Sequence, residues 1–191
     1  MSDSSTGGVR SVVRFLNVSF ACEVGVLLCL SVMFPFLIHI IPVPADSKLG
    51  PRLLPMFYAP LLAVLLGRSR LAVLLAFAAP WLNRALTSYP ALPSAAVMMV
   101  ELLGFVFVFQ FMMAEVGARW FLAVPAYFSG KIAAVTVGVF FPELIGRGNA
   151  GAWAAQSVVT AAPGIAILVL INWLVLRYYP PGPEGGGSVS A

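Results

Sequence analysis

Apolar residues run along this chain in long blocks, separated by short clusters of proline, glycine, serine and arginine. Six blocks stand out: Val24–Ile41 (extending back toward Val12), Leu53–Leu66, Leu71–Tyr89, Ala95–Ala114, Trp120–Leu144 and Ala152–Leu176. None alternates with the period of two that a half-buried strand needs, and all but one reach the roughly 20 residues that cross a bilayer as a helix. The exception is Leu53–Leu66, which has fourteen residues and carries Pro55 and Pro60. Two readings of it stand side by side. It is a short, tilted helix lengthened by its flanks, or irregular backbone held inside the protein or along a cavity.

The pattern predicts an all-α fold, an integral membrane bundle of about six transmembrane helices. The expected organisation is a disordered N-terminus over 1–10, one transmembrane domain over 11–178, and a disordered Pro/Gly/Ser-rich tail over 179–191. With the N-terminus in the cytoplasm, Arg10, Arg14, Arg68, Arg70, Arg119 and Arg177 fall at inner ends, and Lys48, Arg52 and Arg147 fall in outer loops. Six against three obeys the positive-inside rule and predicts that both termini are cytoplasmic.

Composition agrees with a lipid solvent. Of the 191 residues, 61% are hydrophobic and 9% charged, against about 45–50% and about 25% in soluble domains. The net charge of +4 comes from scattered arginines. It forms no basic stripe, so no nucleic-acid partner is expected. Cys22 and Cys29 lie seven residues apart in one apolar block. On one helix that is about 10 Å, too far for a disulfide. With His39 as the single histidine, a two-histidine zinc site cannot be built, and no metal or cofactor is expected.

Candidate chemistry lies in the polar groups within the apolar blocks, where each is costly and points to function. Arg84, preceded by Asn83, falls roughly 8 Å from the outer end of the third block, and Glu101 roughly 9 Å from the outer end of the fourth. Lys131 is near the middle of the fifth. Glu101 can pair with Lys131 or with Arg84, which leaves one cation for a ligand anion. A structural ion pair, with Arg84 reaching to the interface, is the alternative. His39, Phe57, Tyr58, Trp81 and Tyr89 are expected in the outer half, as interface aromatics or pocket wall. Trp81 and Asn83, flanking the arginine, are the better pocket candidates. Glu23, Glu115, Gln110 and Asn172 fall toward the inner ends. Ala21 and Gly25 form a small-xxx-small pair on the first helix, where another helix can approach. There is no phosphate-binding loop and no nucleophile elbow. There is also no internal repeat of the kind secondary transporters carry.

The ordered punctuation of these blocks resembles the substrate-binding S components of energy-coupling factor transporters. Those proteins often show Gly-Pro, then Leu-Pro-Met-His, then a Pro-Val-Leu-Leu-Ala-Gly-like run. The corresponding stretch here is Gly50-Pro-Arg-Leu-Leu-Pro-Met-Phe57, followed by Ala59-Pro-Leu-Leu-Ala-Val-Leu-Leu-Gly67. Similar counterparts are Ala79-Pro-Trp-Leu-Asn83, Thr87-Ser-Tyr-Pro-Ala-Leu-Pro93, Met99-Val-Glu-Leu102, Gly130-Lys131 and Pro163-Gly164-Ile165. The resemblance spans roughly residues 24–178. Phe57 replaces the histidine, and Lys131 replaces an arginine, losing its bidentate geometry.

The resemblance implies a six-helix subunit of the bacterial cytoplasmic membrane that captures a vitamin-like small molecule from outside. It would work with a transmembrane T component, docked at Ala21 and Gly25, and with cytoplasmic ATPase subunits. Substrate binding would fall to Arg84, Lys131, Glu101, Asn83, Trp81, Phe57 and His39, by capture without catalysis. Two other classes remain open: a structural or assembly membrane protein, and a membrane enzyme on lipid or isoprenoid substrates using Glu101.

Overall fold

The computed structural model describes residues 21–37, 49–88, 90–145 and 149–179. The described residues form helices and turns, with no strand. Helix α1 covers Ala21–Leu37. The second apolar block breaks into three pieces: α2 (Leu49–Leu53), a 3-10 turn (Pro55–Phe57) and α3 (Tyr58–Leu65). Four longer helices follow: α4 (Ser69–Thr87), α5 (Leu92–Val116), α6 (Ala123–Phe140) and α7 (Ala150–Tyr178), with a 3-10 turn at Pro142–Ile145 between the last two. His39 lies outside the described residues, as do Lys48, Tyr89, Arg147 and both expected disordered ends apart from Tyr179.

Among the described residues, three helices are long and apolar enough to cross a membrane: α5, α6, and α7 with the turn before it. Their outer faces carry exposed Phe107, Phe111, Ile132, Val139, Phe140 and Val159, which suits hydrocarbon as solvent. Helix α4 has the length, at 19 residues. Arg70, Pro80, Asn83 and Arg84 make it less apolar.

The backbone break in the second block has a local cause. Leu54 precedes Pro55, whose ring disfavours the right-handed helix at the residue before it. Leu54 adopts the left-handed region instead, at φ 52° and ψ 42°. Its backbone is held from both sides: Leu54 N–H donates to Gly50 O at 3.2 Å, and the Tyr58 hydroxyl donates to Leu53 O. The irregular-backbone reading of this block is the one the structure adopts. Every residue of α3 except Leu62 is buried, and the helix contacts α4, α5 and α7. Helix α2 rests on α7 at Gly164. A Cβ there would come within 2.8 Å of Arg52 O and 2.7 Å of the Leu54 side chain.

Polar contacts gather at one end of the bundle. Arg68, between α3 and α4, pairs with Glu23 of α1 at 2.8 Å. Gln110 of α5 donates to Ser69 O at 3.0 Å. Asn172 of α7 donates to Arg119 O and Trp120 O, in the α5–α6 turn. The start of α1 and the end of α3 therefore share one level. At the other end, Asn149 caps α7, its Oδ1 accepting from Gly151 N at 2.9 Å and Ala152 N at 3.2 Å. This meets two of the helix's unpaired donors.

The tightest crossing joins α5 to α6. Gly130 lies so close to α5 that an added Cβ would fall 2.3 Å from Glu101 O and 3.1 Å from Phe105 N. On the facing side, a Cβ at Gly104 would lie 3.0 Å from the Gly130 Cα. Backbone contact of this kind is how membrane helices gain packing energy without water to drive them together. Gly130→Val therefore forces the two helices apart. The expected cost is about 1–3 kcal/mol from overpacking, read as a lower midpoint in denaturation of the detergent-solubilised protein. Gly25→Val, where an added Cβ meets nothing within 4 Å, leaves that midpoint unchanged.

Candidate functional site

The Gly130 crossing presents the next residue, Lys131, to the α5 residue whose carbonyl touches Gly130. Lys131 Nζ lies 2.5 Å from Glu101 Oε1, and both residues are buried, at 7% and 8% exposure. Lys131 is eight residues into α6 and Glu101 nine into α5, so the pair sits roughly 12–14 Å along each helix. Hydrogen bonds between ionised partners are the stronger kind, and each ion supplies the counter-charge that the other's burial demands. Glu101 thus pairs with Lys131 and not with Arg84.

Aromatic rings complete the surroundings of the ammonium. The Trp153 ring of α7 lies 4.9 Å from Lys131 Nζ, and the Tyr127 ring lies 5.7 Å away. Both distances are within cation–π range. Tyr127 is one helical turn before Lys131, which puts the two side chains on one face. It is 1% exposed, and its hydroxyl has no hydrogen-bond partner among the described residues. Phe57 packs on Tyr127 at 5.7 Å between centroids and edge-on to Phe105 at 5.3 Å. At 2% exposure, Phe57 fills the core beneath the ion pair and presents no face to an open cavity.

The remaining candidates form a second group, at the end of α4. Arg84 is half-buried, and its Nη1 donates to Pro90 O at 2.9 Å. No carboxylate pairs with it among the described residues. Trp81 Nε1 donates to Met99 Sδ at 3.3 Å. Asn83 is 2% exposed, and its Oδ1 has no partner among the described residues. Its carbonyl accepts from the Thr87 hydroxyl at 2.7 Å. Met99 is two residues before Glu101 and so faces a different side of α5. The structure thus divides the predicted site in two: Lys131, Glu101 and Phe57 in the bundle interior, Trp81, Asn83 and Arg84 at its rim.

Two members of the interior group escape a reading of the sequence. Tyr127 carries a usable signal, its spacing of four from Lys131 on one helix. Trp153 carries none, because its neighbourhood depends on how α7 crosses α6. Ala21 and Gly25 are both exposed on α1. Among the described residues, no group of three His, Cys, Asp or Glu could hold a metal ion.

The chain matches no protein-family model, no curated protein and no solved structure.

Removing one member of the ion pair strands the other in a dry interior. Lys131→Met and Glu101→Gln are each expected to cost about 3–5 kcal/mol, and the double substitution less than the sum of the two, because it removes both charges. Unfolding of the four proteins in one detergent gives the coupling energy. Additive losses would contradict a direct, buried interaction.

Proposed function

We propose that this chain is the substrate-binding S component of an energy-coupling factor transporter. In this reading it crosses the bacterial cytoplasmic membrane six times, with both termini inside, and captures a small vitamin-like molecule from outside. The observation that carries the proposal is the interior group itself. A cation, a carboxylate, the unpartnered phenol of Tyr127 and the ring of Trp153 converge where α5, α6 and α7 meet, and the two charged members, Glu101 and Lys131, come from the Met99–Leu102 and Gly130-Lys131 stretches that resemble the family. The group supplies recognition without a nucleophile and base in catalytic arrangement, so its task is capture, not reaction.

Chemistry suggests how capture proceeds. Lys131 is a flexible cation that can exchange Glu101 for a ligand anion, or share itself between the two. The Tyr127 hydroxyl is free to bond a ligand amide or carbonyl, and the Trp153 and Tyr127 rings offer apolar walls. Arg84, half-buried nearer the rim, suits first contact with a negatively charged solute, and the buried Asn83 beside it can then bond an amide. The open Ala21/Gly25 face supports docking of a transmembrane T component, which would bring the ATPases this chain does not provide.

One observation favours a second reading, a structural or assembly membrane protein. Lys131 is already neutralised at 2.5 Å, which is all that a lock between α5 and α6 requires.

A thermal-shift screen of the detergent-purified chain against vitamins and their precursors separates the two. A ligand at about 100 times its dissociation constant adds about 2.7 kcal/mol of stability. The importer reading expects at least one such shift, abolished in Lys131→Gln and weakened in Arg84→Ala. A shift indifferent to both variants would retain capture and reject this site. A well-folded protein that no compound stabilises would favour the structural lock.

A further inference from the structure

Away from the ion pair, a cleft of about 620 Å³ opens between α1 and α3 at the end of the bundle that holds Glu23 and Arg68. Its walls are apolar: Cys22, Val26 and Leu30 from α1, Leu62 from α3 and Leu66 just past its end. Its mouth is charged. Arg68 gives one Nη2 hydrogen bond to Glu23 at 2.8 Å, with the two side chains 52% and 33% exposed. Arg70 follows in the first turn of α4, exposed and with no carboxylate partner among the described residues.

We infer that this cleft holds one acyl chain of an anionic phospholipid from the adjoining leaflet, with the headgroup phosphate on Arg68 and Arg70. The inference rests only on the chain's residence in a bilayer, not on the transporter reading.

Three features select this occupant. The first is charge. Arg68, Arg70, Arg119 and Arg177 face Glu23 and Glu115 at this end of the bundle, a net positive rim that attracts anionic headgroups. The second is available donors. A guanidinium carries five N–H groups, and Glu23 takes one from Arg68. An exposed pair of this kind is worth little on its own, so a phosphate can share the fork or replace Glu23. The third is shape. The wall from Cys22 to Leu30 is about 12 Å long. Above it α1 closes on the core through the edge-on contact of Phe34 with Tyr58 at 5.5 Å. A transmembrane helix from a partner would have to continue past that closure. A lipid chain begins at headgroup level and can end within the cleft.

The test compares phosphatidylglycerol with phosphatidylcholine of the same chain length, added to the full chain in mixed micelles. Bound lipid is counted by native mass spectrometry and stability by thermal unfolding. Phosphatidylglycerol is expected to be retained and to raise Tm, and phosphatidylcholine to do neither. Arg68→Ala/Arg70→Ala should weaken retention about tenfold or more. Glu23→Gln, which frees the Arg68 fork, should strengthen it. Val26→Trp keeps both arginines and fills the cleft, and should abolish retention. The Val26→Trp variant decides the matter if the double arginine variant does not fold. Equal retention of the two lipids, or phosphatidylglycerol retention unchanged in Val26→Trp, would overturn the inference. So would a dimer of the wild-type chain that Val26→Trp dissociates, since the cleft would then serve a second copy.

Discussion

A lysine ammonium in the interior of an apolar bundle is tolerable only if its counter-charge is within hydrogen-bond reach, and reach is a matter of backbone placement. Gly130 supplies it. With no side chain at that position, α6 comes against α5 closely enough for Lys131 to meet Glu101 directly. A wider crossing would leave two ions partly solvated by nothing, at a cost of several kcal/mol for each. The placement of Tyr127 beside the ammonium and of Phe57 against Tyr127 goes with that one approach. The cluster is an arrangement of charge and aromatic surface around a glycine contact, and its geometry is only as accurate as the contact.

This dependence explains how much can be read from the sequence. Helices α5, α6 and α7 are visible as apolar blocks, because lipid imposes one simple rule on length and polarity. Glu101 and Lys131 are visible for the same reason: a charge within such a block stands out. Their pairing is another matter. Two cations were available to Glu101 by depth alone, and the choice depends on which faces α4 and α6 turn toward α5, a packing property spread over many residues. Phe57 shows the limit from the other side. Its block is apolar and broken by prolines, which signals irregular backbone, but the sequence does not say that the ring points inward to Phe105 rather than to an outer cavity. Trp153 reaches the site across more than twenty residues of chain after Lys131, with no periodicity to announce it.

The division of polar residues into an interior and a rim group has a functional logic of its own. Arg84 is tethered to a backbone carbonyl, a bond easily exchanged, and in the importer reading it is where an arriving solute would first meet the protein. Lys131 is committed to a carboxylate, a bond that only a well-matched anion can compete with. A solute passing from one to the other would be tested twice, first for charge and then for fit among rings. Asn83 and Tyr127, each with a buried polar atom lacking a partner, are the groups through which that second test could be made specific.

The seat of α2 on Gly164 also bears on the order in which the chain is assembled. Pro55–Leu65 is too short to enter a bilayer by itself, and the turn at Leu54 would leave backbone groups unpaired among lipid tails. Helix α3 packs on α4, α5 and α7, and the seat of the turn before it, Gly164, lies roughly 110 residues further along and leaves the ribosome after the helices between. The turn at Leu54 can therefore take its final seat only after α7 has been made. An early segment waits on a late one, and any truncation that removes α7 should leave the turn at Leu54 without its seat, whatever happens to the helices in between.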